Sequence, residues 1–186
     1  IENELKSECR VGPSFRYHRI FQEKIDWKRK SMKLILLSYD CKDCEEVLNL
    51  CKNSNLILES IKIKFHPATT KSFKNARESE LPHSWSATNQ NLYDLLGTTE
   101  LVIGTGTGSL VEAATLGVSI VVLANQSTFT CNPMPNYGKG KIWDIAFNVL
   151  ELETCCNRLL SYRSKNLEEI KQIADEYKKL FFTKVS

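Results

Sequence analysis

Residues Leu101–Gly117 read LVIGTGTGSLVEAATLG, and after one further residue Ser119–Ala124 reads SIVVLA. Leu101–Gly104 is a strand-sized apolar run. Three glycines then alternate with three hydroxyl residues, in the order Gly104, Thr105, Gly106, Thr107, Gly108, Ser109. From Ser109 to Leu116 the apolar residues fall at helical spacing, and Gly117 sits where a C-terminal glycine ends a helix. A second apolar strand follows immediately. Strand, tight turn, helix, strand is the repeating unit of a parallel sheet with right-handed crossovers.

The same alternation extends outward on both sides. Met32–Tyr39 (MKLILLSY) is nearly continuous in apolar character, as a strand covered on both faces would be. Helical spacing runs over Asp40–Asn53, and clean alternation over Ser60–Phe65 (SIKIKF) marks a strand that stops at His66-Pro67. A short strand is predicted at Ser84–Thr88, a helix at Asn91–Leu96 and a sixth strand at Trp143–Phe147. Two helices, Leu150–Tyr162 and Leu167–Phe182, close the chain. The expected fold is α/β, a Rossmann-like open parallel sheet of about six strands with flanking helices, occupying residues 32–186. Residues 1–31 differ in composition and read as a lead-in or linker, partly helical over Ser14–Trp27, with Gly12-Pro13 as a break and a solvated basic run at Lys28-Arg29-Lys30.

Composition narrows the function. The chain has 186 residues, 42% of them hydrophobic and 25% charged, with a net charge of +3. That balance excludes a disordered tail, and it gives no electrostatic argument for nucleic acid as a partner. No apolar run approaches the roughly 18–20 residues that span a bilayer. The seven cysteines are odd in number and unevenly spread, which favours a reducing, cytoplasmic setting over a disulfide framework. The chain begins with Ile1, and is therefore expected to be part of something longer or a processed product.

In an open α/β sheet, ligands bind beyond the carboxyl ends of the strands. The segments expected there are Asp40–Glu46, His66–Thr70, Gly104–Ser109 and Asn125–Lys141. Seven of the eight glycines lie between Gly97 and Gly140, so backbone freedom is concentrated in the last two. The Gly104–Ser109 turn offers close backbone approach, hydroxyls from Thr105, Thr107 and Ser109, and free N–H groups at the start of a helix, a combination suited to phosphate. It is neither a dinucleotide fingerprint nor a Walker A loop, because the third glycine comes one residue early and no Gly-Lys-Ser/Thr is present. Glu112 stands three residues after Ser109. Spacing alone favours a capping box between them, with contact to ribose hydroxyls as the functional alternative.

His66 ends its strand at the binding edge, where it could pair with a phosphate or act as an acid. In the long loop after the fifth strand, Lys139 and Lys141 could face a diphosphate or an acidic group, and Asn132 and Tyr137 could read sugar hydroxyls. Cys41-Lys42-Asp43-Cys44 has the spacing of a redox motif without its accompanying features, and neither redox nor metal chemistry is expected of it.

Three features together resemble the C-terminal half of a GT-B glycosyltransferase: KFHP at Lys64–Pro67, LVIGTGTGSLVEAATLG, and the next strand SIVVLA. The nearest flavour is that of bacterial surface-carbohydrate and sialyltransferase-like enzymes. The small-Ser/Thr-x-x-Glu-Ala-x-x-x-Gly pattern is also similar to that of nucleotide-sugar epimerases. The resemblance implies that His66 contacts the donor phosphate and assists its departure. It further implies that the turn from Gly104 through Thr105, Gly106, Thr107 and Gly108 to Ser109 binds phosphate, and that Glu112 binds ribose. It implies a CMP- or UDP-linked sugar donor, no metal or other cofactor, and a saccharide or lipid-linked acceptor in surface polysaccharide or lipopolysaccharide synthesis. The location implied is the cytoplasm or the inner membrane face. A GT-B enzyme also needs an N-terminal domain, so this chain alone is expected to bind donor and transfer little. The alternatives are an epimerase, a teichoic-acid-type phosphotransferase domain, or a non-catalytic nucleotide-binding module.

Overall fold

The computed structural model describes residues 17–22, 25, 27, 31–125 and 129–182. Six strands, β1 (Met32–Leu36), β2 (Ile61–Lys64), β3 (Trp85–Ala87), β4 (Thr99–Gly104), β5 (Ser119–Leu123) and β6 (Trp143–Ala146), form one sheet in the order β3-β2-β1-β4-β5-β6. Every pairing is parallel. The helices are α1 (His18–Gln22), α2 (Cys41–Lys52), α3 (Lys71–Ser79), α4 (Leu92–Leu96), α5 (Ser109–Thr115), α6 (Val149–Lys165) and α7 (Leu167–Phe181), with a 3-10 turn at Asn55–Leu58. This is the doubly wound α/β arrangement expected from the sequence, one Rossmann-like half of a GT-B fold.

The near-continuous apolar strands are explained by two cores. Leu34, Leu36, Val102, Ile120 and Val122 face one layer, packed with Leu95, Leu110, Ile170, Ile173 and Tyr177. Ile35, Leu37, Leu101, Ile103, Val121 and Leu123 face the other, packed with Val47, Leu48, Leu152 and Leu159. Successive strand residues point to opposite faces, so a strand covered on both sides needs no polar alternation. Each fully buried aliphatic side chain contributes about 1.5–3 kcal/mol.

α3 was not anticipated, and the reason is plain. None of its residues is buried, so it carries no apolar period for a sequence reading to find. Its start is fixed instead by Thr70, whose side chain accepts the Phe73 N–H at 3.4 Å.

Within the segment expected as a lead-in, the helix is restricted among the described residues to His18–Gln22. Ile20 is buried in the first core, and the ring of Trp27 lies against Gly117. Gly117 has φ +65°, and a Cβ there would stand 2.0 Å from that ring. Two constraints therefore require glycine at this one position. The bonds from Gly117 N–H to Ala114 O (2.9 Å) and from Val118 N–H to Ala113 O (3.1 Å) complete a Schellman end for α5. The buried Arg163 guanidinium donates to the Gly117 carbonyl and, at 3.4 Å, to that of Trp27. Residues 1–16, with the Gly12-Pro13 break, and the basic run Lys28-Arg29-Lys30 lie outside the described residues, as do Glu23, Lys24 and Asp26 of the expected lead-in helix.

Candidate functional site

The strand order reverses between β1 and β4, and ligands of such sheets bind in the crevice that opens outside the strand ends at that point. Leu36 of β1 is in register with Gly104 of β4. A Cβ on Gly104 would come within 2.9 Å of the Leu36 carbonyl. This glycine is thus required by the approach of two strands, behind the site rather than in it. Beyond it the chain turns outward through Thr105–Gly108 into α5.

Of the sequence candidates, the fold brings His66, Gly106, Thr107, Gly108, Ser109 and Glu112 to one open cleft of about 810 Å³. Gly104 is buried, and Thr105 faces a neighbouring cleft instead. A Cβ on Gly108 would meet nothing within 4 Å, so nothing among the described residues calls for glycine there. No hydrogen bond among the described residues engages the N–H of Gly106, Thr107 or Gly108.

His66 follows β2 and is held by its own turn. Its Nδ1 accepts the Ala68 N–H at 3.1 Å, and its carbonyl accepts the Thr69 N–H at 3.0 Å. With Nδ1 acting as acceptor, the hydrogen of the neutral ring resides on Nε2. Tyr39 meets the His66 ring edge-on, with centroids 6.1 Å apart.

The capping box favoured by spacing is not formed. α5 begins at Ser109 with Gly108 as its cap residue and no side-chain cap bond. The Ser109 N–H instead points to Thr107 Oγ1 at 3.4 Å. One turn on, Glu112 is buried, and its carboxylate accepts the Tyr93 hydroxyl from α4. Ser109 lies inside the helix rather than before it, so its hydroxyl is not placed to cap and Glu112 has no reason to fold back.

Two groups at this cleft were missed in the sequence. Lys64 sits two residues before His66 at the end of β2 and lines the same cleft. Its ammonium donates to the Gln90 carbonyl at 2.6 Å, and it has no carboxylate partner among the described residues. Burial, then the charge of Lys74, lowers its pKa below the ordinary lysine value. The alternation of Ser60–Phe65 marks Lys64 as outward-facing, but only the sheet places it beside His66. Tyr93 was the other. Its apolar spacing reads as core, and its hydroxyl becomes relevant only through Glu112. Arg19 of α1 lies over the Tyr93 ring, 5.3 Å from the centroid, and is fixed by Asn91 (2.9 Å) and Asp94 (2.5 Å).

The second half of the long loop does not serve this cleft. β6 runs parallel to β5, so the chain must return to the amino edge of the sheet before β6 begins. Tyr137, Lys139 and Lys141 lie on that return, next to Trp143 at the start of β6. Lys141 pairs with Glu169 at 2.7 Å, Lys139 lies over the Trp143 ring, and the Tyr137 carbonyl accepts from Trp143 and Tyr177. Asn132 uses its side-chain oxygen on the Met134 N–H at 3.0 Å. None of the four faces the cleft of His66; of the two partners expected for the lysines, Lys141 meets the acidic one, Glu169.

The Cys41/Cys44 pair is divided between surface and core. Cys41 is exposed, whereas Cys44 is buried, donates to the Ser38 carbonyl at 3.2 Å, and has its pKa pushed up to about 12 mainly by burial. A thiol so placed is poorly suited to redox exchange. No helix among the described residues is long and apolar enough to cross a membrane.

No family model matches the chain, and no curated protein matches it in sequence. Among solved structures it is similar to the wall teichoic acid polymerase TagF, with a TM-score of 0.50 and 9% identity over 92% of this chain and 47% of that one. It is also similar to a protein assigned as a UDP-N-acetylglucosamine 2-epimerase from Listeria monocytogenes, with a TM-score of 0.49 and 15% identity over 84% of this chain and 41% of that one. The glycosyltransferase SnogD from Streptomyces nogalater gives 0.48 and 17% over 83% and 45%. The chain thus spans less than half the length of each of these proteins. At such identities the likeness is one of fold alone.

Proposed function

We propose that this chain is the donor-binding half of a glycosyltransferase and binds a nucleotide-linked sugar or polyol at the cleft between β1 and β4. The observation that carries the reading is the convergence of His66, Lys64 and the open Gly106–Ser109 turn on one side of Glu112. Lysine ammonium, an imidazole N–H and hydroxyls are the donors a phosphate requires, and a fixed carboxylate is the acceptor that ribose hydroxyls require. The TagF and SnogD likenesses are consistent with this reading at the level of fold.

In the proposed reaction, written for a sugar donor, an acceptor hydroxyl attacks the anomeric carbon and gives up its proton to a base, the bond from that carbon to the phosphate oxygen breaks, and the electron pair leaves with the nucleotide. The His66 Nε2–H and the Lys64 ammonium meet the charge that develops on the leaving phosphate. Donors of this kind, fixed in advance, contribute on the order of 10²–10³ each to rate. In this reading the leaving charge is met by the protein's own donors, with no metal called for. The acceptor base would come from a second domain. A CMP- or UDP-linked donor and a role in surface polysaccharide or lipopolysaccharide synthesis at the cytoplasmic side of the membrane belong to this proposal through the resemblance of the His66-Pro67 element to enzymes of that class.

Calorimetric titration of the chain with CMP, UDP, GDP and CDP tests the reading. One nucleotide should bind, and His66→Ala and Lys64→Met should each weaken it. If none of the four binds, the donor-site assignment fails.

A further inference from the structure

The cleft described above does not end at the glycine turn. On the far side of Thr105 and Gly106 it continues into a second cleft of about 720 Å³, and Ser38, Tyr39 and Gly106 line both. The chemistry changes across that boundary. The first cleft presents Lys64 and His66; the second presents Asp43, Asn125 and two aromatic rings, Tyr39 and Phe129, that are 70% and 92% exposed.

Asp43 is the group that needs an explanation. It stands in the first turn of α2, but it is not the cap: Asp40 Oδ1 already accepts the N–H groups of Lys42 (2.8 Å) and Asp43 (3.1 Å). No lysine or arginine pairs with Asp43 among the described residues. Its carboxylate is held by neutral donors, Asn125 Nδ2 at 2.6 Å from across the sheet and Ser38 Oγ at 3.4 Å. An ionised carboxylate has about four acceptor positions, so these two bonds orient it and leave acceptor capacity over. Partial burial, then the charges of Asp40 and Glu46, raise its pKa from the ordinary aspartate value. A carboxylate in that setting repels phosphate and gains from hydroxyl donors.

Resting on the donor-site reading above, we propose that the second cleft is the subsite for the hydroxyl-bearing group attached to the nucleotide, with Asp43 as its principal hydrogen-bond acceptor and Tyr39 and Phe129 as apolar faces for its carbon skeleton. A phosphate at the Gly106 turn places the nucleoside toward Glu112 and the other substituent toward Asp43, because the two clefts meet at that residue. A sugar or polyol offers the two properties this lining complements, vicinal hydroxyls and patches of C–H. The opposite signs of charge on the two sides then fix the orientation of the donor.

The test is calorimetric titration of the wild-type chain, Asp43→Asn and Phe129→Ala with UDP, CDP and CMP, and in parallel with UDP-glucose, CDP-glycerol and CMP-N-acetylneuraminate. Asp43→Asn keeps the size of the side chain, and Phe129 is exposed, so neither variant threatens the fold; thermal unfolding of each verifies this. For the nucleotide that binds, the conjugate should bind the wild type more tightly than the bare nucleotide does. Asp43→Asn should weaken the conjugate about tenfold or more, the loss of hydrogen bonds to a charged acceptor, while bare-nucleotide affinity stays within about twofold. Phe129→Ala should weaken the conjugate selectively as well. Equal losses for conjugate and bare nucleotide, or no loss for either, overturn the subsite and leave the nucleotide site standing. Free glycerol or glucose bound at Asp43 while the conjugates ignore it would place an acceptor there and equally overturn the proposal. If no bare nucleotide binds, the donor-site reading itself falls, and the subsite with it.

Discussion

The hydroxyl of Tyr93 on α4 donates to the buried carboxylate of Glu112 on α5, and this bond holds the one acid of α5 against the cleft wall. The two residues lie 19 positions apart and belong to different crossovers. Their meeting links the walls of the cleft on either side of β4.

Tyr93→Phe removes the donor and leaves a buried carboxylate short of one bond. A loss of about 1–3 kcal/mol in unfolding free energy is expected, read from urea denaturation. If Glu112 also binds ribose, nucleotide affinity should fall in the same variant, since the carboxylate loses the hydroxyl that orients it.

Gly104→Ala and Gly108→Ala should behave oppositely. At Gly104 the new methyl meets the Leu36 carbonyl at 2.9 Å, forcing β1 and β4 apart at the cost of about 1–3 kcal/mol. At Gly108 there is open space and an ordinary helical φ of −58°, so stability should change by about 0.5 kcal/mol or less. A drop in nucleotide affinity for Gly108→Ala without a change in melting temperature would mark this residue as the place where ligand approaches the backbone.

Gly117→Ala should be the most damaging of the glycine substitutions. The side chain would require a positive φ and displacement of the Trp27 ring together. Thermal denaturation should register a loss of more than about 2 kcal/mol. Arg163→Met should also destabilise, because the Gly117 carbonyl loses its buried donor.

The buried cysteines predict an alkaline limit to stability. Burial pushes Cys44 and Cys156 from 9.0 up to about 12. In the unfolded chain both ionise near pH 9, so between about pH 9 and 12 the unfolded state binds fewer protons than the native one, and stability falls as pH rises through that window. Below pH 9 the full contribution is retained. Denaturation midpoints measured across pH 7–11 should decline above pH 9, and Cys44→Ala should flatten the decline. At pH 8 a thiol reagent should label the exposed Cys41 and Cys131 while sparing Cys44, Cys51 and Cys156 in the native protein.

The candidate site was half legible in the sequence. The turn and His66 were found because strand ends and glycine clusters leave local marks. Lys64 and Tyr93 were not, since an alternating lysine and a core tyrosine look ordinary until the sheet sets them beside His66 and Glu112. The capping box expected from the spacing of Ser109 and Glu112 does not form, for a related reason. That spacing fits a local cap, whereas the partner that holds Glu112 comes from another helix. For Lys139 and Lys141 the sequence allows a diphosphate or an acidic partner, and parallel pairing of β5 and β6 decides between edges of the sheet: it carries this part of the loop across to the far edge, where Lys141 meets Glu169.

What the sequence determined by itself was the layered α/β architecture. Apolar runs, helical periods and glycine stops are properties of neighbouring residues, and burial on both faces of every central strand follows from them. The strand order β3-β2-β1-β4-β5-β6 was decided only by tertiary structure, and with it the crevice between β1 and β4. That order depends on which strands pair across long stretches of chain, a choice governed by packing of the two cores rather than by any local pattern. The same choice places Asp43 against Asn125 and Tyr93 against Glu112, so the chemistry of both clefts is a product of topology.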